Sequence, residues 1–510
     1  MWAETMVYLE RADNLFFDEE RLPGAQIVKG NVLFRHDEVL MYCDSAYFFR
    51  ETNSLDAFGR IKMEQGDTLT GYSDKLFYNG NTKIARFRQN VKLIHHESVL
   101  TTDSLNYNRT ADIAYYYSGG KITDELNVLT SLRGQYTPYN KMATFRDSVH
   151  LVNSRFTMDT DTLRYNTEDH MAYLVSPTTI LYEQETTICS SNGIYNTQTE
   201  QSELFDRSMV LHAEGKSLVG DTIYYDKQNK FGKVLGGMRM TDSVQEVTLY
   251  GDYGEVYEQE SALAPHPEWG AQAFATQNAV LEAWGDSVHT WMHADTLFTE
   301  NPPLQDTTKQ DTTYQRIRAY HHVRVYREDM QAVCDSAVYI GSDSIGKLYG
   351  EPIAWADNQQ VSADSIYAFF RDSVLDHLHG WGSILCAQQV DTVHYHQMAG
   401  KEMIAYIKDG DISQVDVSGN AETIFYPKDE NDHTLSGCNR TESSFVKFYF
   451  TDGEIDHALF TTATSGTLYP MKDLTDAIIY LGQFFWAELE RPRSPQDVMN
   501  HVARTQRTNK

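Results

Sequence analysis

The sequence predicts an all-β fold of stacked, mainly antiparallel strands, and three observations predict it. The first is a repeat of about 30 residues, in which a small polar or Gly-containing turn precedes a strand that opens on an aliphatic residue. The copies read Gly30-Asn31-Val32, Gly59-Arg60-Ile61, Gln89-Asn90-Val91, Gly120-Lys121-Ile122, Asp147-Ser148-Val149, Pro177-Thr178-Thr179-Ile180 and Arg207-Ser208-Met209-Val210. Their aliphatic residues lie 29, 30, 31, 27, 31 and 30 positions apart. A fixed period of that size signals units that bury their faces only against their neighbours. The second is an in-phase marker of Asp, Ser or Thr, then an apolar residue: Asp44-Ser45-Ala46, Asp103-Ser104-Leu105, Asp161-Thr162-Leu163 and Asp221-Thr222-Ile223, with Tyr47, Tyr107, Tyr165 and Tyr225 close behind. The third is the tight Asn/Gly turn, as in Tyr78-Asn79-Gly80-Asn81, which joins strands that are neighbours in sequence and so favours antiparallel pairing.

Composition agrees. The chain of 510 residues uses 32 Tyr and only 12 Pro, which favours strands. Lys plus Arg is 43 against 72 for Asp plus Glu, a formal charge of −29 that repels nucleic acid and anionic bilayers. No apolar run reaches the roughly 18 residues that a spanning helix needs. Met1-Trp2-Ala3-Glu4 has neither the basic segment nor the apolar core of a signal peptide, so a trimmed start is expected. The five cysteines are scattered and never form a CxxC pair, which excludes a disulfide-dense scaffold and a zinc ribbon. Cys43 and Cys334 each precede an Asp-Ser-Ala marker and read as small buried residues at equivalent positions.

Taken in order, residues 6–258 form a first, nearly uniform stack of short strands. The phase slips after Tyr257, and the next aliphatic markers are Val280, Val323, Ile353 and Ile384. Residues 259–313 are expected to be a transition with a flexible insertion loop, the polar, Pro-initiated stretch Asn301 to Thr313. A second, less regular stack follows over 314–470, then a cap and tail over 471–510. Leu474 to Leu489 is apolar and aromatic, suited to a short capping helix over the last rung. Ser494-Pro495-Gln496-Asp497 is a helix start: Ser caps, Pro takes the first turn and Asp faces the dipole. His501 to Lys510 is basic and expected to fray.

Little in the sequence carries chemistry. The marker Asp residues read as turn formers, because their side chains bond the local backbone. His95-His96, His321-His322, His377 with His379 and His394 with His396 invite a metal reading, as does Cys386 near Asp391, but no spacing supplies a complete ligand set. No GxSxG, HExxH or phosphate-binding Gly-rich loop is present. The expectation is a protein that is not an enzyme and needs no cofactor and no metal.

The run Gly30 to Tyr107 and the segments Asp221-Thr222-Ile223-Tyr224-Tyr225 and Val417-Ser418-Gly419-Asn420-Ala421-Glu422-Thr423 resemble the OstA/LptA family. The resemblance implies a repetitive twisted β-jelly roll, two sheets packed as a V around an apolar interior. It implies a periplasmic protein of a Gram-negative cell, exported and associated with outer-membrane assembly, that carries lipopolysaccharide by shielding its acyl chains. Its partners would be lipopolysaccharide, other transport proteins joined by edge-strand addition, and further copies of itself head to tail; nucleic acid would not be one. The interior, lipid-binding face would then be Val32, Ile61, Val91, Ile122, Val149, Ile180 and Val210. The acidic surface places the burden of binding on the acyl chains, with the head group in solvent. The Asp-Ser/Thr-apolar triplets also look like an O-glycosylation signal of some Gram-negative bacteria. The alternatives are a non-catalytic structural or adhesive β-solenoid of the cell envelope, and a carbohydrate-active β-helix, for which no focus of acidic and basic residues is found.

Overall fold

The computed structural model describes residues 6–500, apart from 68, 286–288, 305–312, 409, 430–433 and 452. The described residues are strands almost throughout, and every strand pairing among them for which a register is given is antiparallel. A parallel β-helix is therefore not the fold. The chain divides into two compact units, one of 1–214 with 219–228 and one of 215–218 with 229–510.

In the first unit the repeat turns are not turns. Gly30-Asn31 and Gly59-Arg60 lie in the middle of the strands Gln26–His36 and Ser54–Gln65, and the reversals fall elsewhere, at Asp37-Glu38 and at residues 51–53. Gly30 (φ +80°) and Asn31 (φ +46°) both adopt the left-handed conformation, and together they oppose the single residue Asp44 across the ladder. Two residues against one is a β-bulge, which bends the strand and sharpens its twist. The sequence cue is shared, because bulges and turns both demand positive φ and recruit the same Gly and Asn residues.

The bend folds the sheet onto itself. Residues 26–29, 45–49, 54–58 and 75–79 form one half-sheet, and 32–36, 39–43, 61–65 and 69–73 the other. On the unbulged strand Val39–Phe49 the buried residues are Val39, Met41 and Cys43, then Ala46 and Phe48. The alternation of a strand thus slips by one at Asp44-Ser45, and both halves point their apolar residues the same way. The halves meet across the core: the Phe34 and Phe48 rings lie 5.3 Å apart and those of Phe156 and Tyr195 5.2 Å.

The second unit repeats the device, with bulges at Gly236-Gly237, Gln277-Asn278 and His321-His322. Two long strands, Gln272–Ala283 and Thr290–Glu300, occupy much of the stretch expected as a transition. The loop expected at 301–313 lies largely outside the described residues. The C-terminal segment differs from the expected capping helix. Only Asp476–Ile479 forms an α-turn, and residues 474–500 otherwise run as an irregular strap, with 3-10 turns at Glu488–Glu490 and Pro495–Met499, across the outer face of one half-sheet. The strap covers that face, so the half-strands 331–334, 384–388 and 395–399 are buried on both sides. The amide of Gln397 donates to Ile479 O (2.7 Å) and accepts from Leu481 N (2.9 Å); Gln360 does the same with Phe485 O (3.0 Å) and Ala487 N (2.8 Å). The helix start at Ser494 is real but short, a 3-10 helix Pro495–Met499 with Ser494 Oγ accepting from Asp497 N at 3.3 Å. The basic tail from His501 lies outside the described residues.

Candidate functional site

All seven aliphatic residues singled out from the repeat lie in the interior of the first unit: Val32, Ile61, Val91, Val149, Ile180 and Val210 are 0–6% exposed, and Ile122 is 9% exposed. Val32, Ile61, Val91 and Val149 each directly follow a bulge, which places them on the inward-facing side of the bend; Ile122, Ile180 and Val210 lie on short strands that begin at Gly120, Thr178 and Ser208. Ile122 pairs with Leu100 on one neighbour and Leu129 on the other; Ile180 stands between Met158 and Ile188. The aliphatic positions thus build a continuous wall across rungs. The interior is filled by side chains. A cavity of about 20 Å³ beside Ile122, lined by Leu93, His95, Leu100 and Tyr136 among others, holds roughly one water molecule.

The open side of the fold is closed by a polar seam that the repeat alone does not reveal. Tyr78, Tyr107, Tyr136 and Tyr165 recur every 29 residues at the tips of one half-sheet. Each hydroxyl meets a polar side chain from the tip of the other half. Tyr78 contacts His36 Nδ1 at 2.6 Å, Tyr107 lies 3.3 Å from Gln65 Oε1, Tyr136 contacts His95 Nδ1 at 2.7 Å, and Tyr165 lies 3.5 Å from Asp124 Oδ2. Burial pushes all four phenols above their ordinary value, so they stay neutral. Tyr78, Tyr107 and Tyr165 were visible as aromatics behind an Asp marker, whereas Tyr136 follows Leu132-Arg133-Gly134-Gln135 and carries no such cue. Their partners lie 41 or 42 residues upstream, a distance that only the strand register explains.

The marker carboxylates stand on the outside of the bend. Asp13, Asp44 and Asp74 accept from Asn31 (3.0 Å), Arg60 (2.6 Å) and Asn90 (2.6 Å), the second bulge residue of the adjacent strand. In the second unit Asp252 and Asp295 meet Asn278 and His322 in the same way, at 2.6 and 2.9 Å. They act as corner brackets. The Arg60 guanidinium holds the Asp44 carboxyl below its ordinary value.

The histidine pairs do not converge. His377 bonds Asp376 (2.8 Å) and stacks on Phe369, His379 bonds Glu402 (2.8 Å), and His394 bonds Asp391 (2.7 Å). His396 is buried against Phe425, and Cys386 lies in the core against Met403, its thiol pushed up to about 12 by burial. Among the described residues no group of three His, Cys, Asp or Glu could hold a metal ion. A cleft of about 400 Å³ in the second unit is lined by Asn278, His293, Asp295, His322 and Arg324, but Asp295 pairs with His322, and Arg324 donates to the carbonyls of Glu490 and Asp497. No helix among the described residues is long and apolar enough to cross a membrane.

None of the curated proteins matches the chain. Among solved structures, the chain is similar to LptH of Pseudomonas aeruginosa, described as the LptA-homologous periplasmic component of the lipopolysaccharide transport device. The identity is 12% over 20% of this chain and 79% of that one, with a TM-score of 0.19, too slight a likeness to carry an argument. Residues 4–161 match the family model of OstA-like proteins. The matched region spans bulged strands, corner carboxylates and the first rungs of the seam, and it is what the chain shares with OstA-like proteins.

Proposed function

We propose that the chain is a periplasmic lipopolysaccharide-binding and transport protein, and that the interior of its first unit shields the acyl chains of the lipid. The observation that carries this reading is the aligned aliphatic wall of the first unit, whose residues from Val32 to Val149 lie within the OstA-like match. Apolar surface repeated at one depth along successive rungs is what acyl chains require. Because the interior is filled, an acyl chain enters only when the half-sheets part, and the seam, held by side-chain hydrogen bonds and not by a strand ladder, is the line along which they can do so. With a charge of −29 the surface does not attract an anionic lipid, so binding rests on burial of acyl chains.

The unit edges fit assembly. Tyr8–Arg11 and Asn14–Phe17 both pair with Gln26–His36 and, among the described residues, with nothing beyond. They expose Tyr8, Leu15, Phe16 and Phe17 (45–63% exposed). Such an edge accepts an added strand from a transport partner or a second copy. The test is binding of fluorescently labelled lipid A to the Val91→Thr/Val149→Thr variant, isosteric with the original. We expect at least about tenfold weaker binding with the fold retained, since two hydroxyls would meet acyl chains without partners. Unchanged affinity in the folded variant would sink the assignment of this wall.

A further inference from the structure

We propose that the seam rung formed by His36, Tyr78, Lys83 and Arg109 is a seat for the phosphate group of an amphiphile whose acyl chain lies in the interior, an inference that rests on the function proposed above. It amends the expectation that the head group stays in solvent.

Positive charge gathers at this rung in a chain that is otherwise strongly acidic. Lys83 Nζ lies 2.9 Å from Asp37 and the Arg109 guanidinium 3.8 Å from it, so two cations share that carboxylate. The rungs at Tyr107 and Tyr165 carry carboxylates instead: Tyr107 donates to Asp112 at 2.8 Å, and Tyr165 meets Asp124. At the rung of Tyr182, Arg155 is neutralised by Glu200 at 2.7 Å.

Arg109 is also under-used. Its side chain is 9% exposed. One terminal nitrogen donates to the Tyr78 hydroxyl at 2.6 Å, yet its Nε–H is buried with no acceptor. Guanidinium presents a planar fork of donors suited to phosphate oxygens, and a buried donor without a partner is a strong demand for one. A phosphate here accepts from Arg109 Nε and Lys83 Nζ in place of Asp37.

The rung is graded as an amphiphile is. Lys83 and Asp37 stand at the rim (37% and 25% exposed), His36 and Tyr78 are closed off beneath (0% and 2%), and the next residues inward on the same strands are Phe34 and Leu76, both 0% exposed.

The test is titration of the full chain with decyl phosphate, decanol and inorganic phosphate. We expect decyl phosphate to bind about tenfold tighter than decanol, the worth of one or two charge-assisted hydrogen bonds. Lys83→Gln and Arg109→Gln should each bring the two ligands to near-equal affinity and leave decanol unchanged. Lys83 is at an accessible turn, so its variant keeps the test alive if Arg109→Gln does not fold. Equal binding of decyl phosphate and decanol to the unaltered protein overturns the seat and leaves the interior reading standing. Binding of neither overturns both. Inorganic phosphate binding as tightly as decyl phosphate rejects a lipid as the source of the anion.

Discussion

At Gly59 the backbone excludes a side chain for two reasons. Its φ is +78°, and a Cβ there would lie 2.5 Å from the Asp44 carboxylate that brackets the corner. Gly59→Ala should therefore cost about 1–3 kcal/mol. Gly66→Ala, at a turn with φ +58° and open space around it, should cost only about 1 kcal/mol. Urea unfolding of the two variants decides this, and equal losses would mean that the bracket does not fix the bend. A second residue carries a pH dependence. Burial lowers His396 from 6.5 to about 4, and its Nδ1 accepts from Tyr426 N, which requires the neutral ring. Its folded value lies below the unfolded one, so its contribution is complete above pH 6.5 and is lost as pH falls from there toward 4. Acidification from pH 7 to 5 should cost the second unit about 2 kcal/mol through this residue. His396→Gln should flatten that slope in unfolding experiments across this range; an unchanged slope would assign the effect elsewhere. The sequence reads the corner carboxylates as turn formers that bond the local backbone; instead Asp44 and Asp74 stand inside the strands Val39–Phe49 and Leu69–Asn79 and accept from side chains of the adjacent strand. Their partners Asn31, Arg60 and Asn90 were hidden, because the register shift at each bulge decides which side chain stands beside which.

At the scale of elements, strand type and antiparallel pairing were legible from the tight turns and the Tyr-rich, Pro-poor composition. The mid-strand bulges were not, because Gly-Asn and Gly-Arg report a need for positive φ and are silent on whether the chain reverses. The strap was read as helix for a related reason. Leu474 to Leu489 has the apolar content of a helix, but its backbone is claimed by Gln397 and Gln360, which lie 82 and 125 residues upstream of the carbonyls they bind. Replacing both glutamines with Ala leaves buried main-chain groups of the strap unpaired. Hydrogen exchange at Leu481 and Ala487 should then accelerate at least about tenfold, while the amides of Met142–Asn153 in the first unit stay protected. Retained protection at 481 and 487 would show that apolar packing alone holds the strap.

At the scale of the whole molecule, the stacked all-β class and the inward placement of all seven aliphatic residues follow from one period read along the chain. Each bulge keeps the following aliphatic on the same inner side, so a linear repeat becomes a wall. The seam was only partly legible, as aromatics such as Tyr107 and Tyr165 behind the Asp marker, without the 29-residue spacing or the cross-core partners. The central claim is that the wall of the first unit holds acyl chains while its outer surface does not. The most direct measurement is photo-crosslinking in living cells from position 122, which faces the interior, and from Lys121, its exposed neighbour on the same strand. The account predicts a lipopolysaccharide adduct from 122 and none from 121. Adducts from 121 alone, or from neither position with 91 and 149 also silent in well-expressed protein, would contradict it.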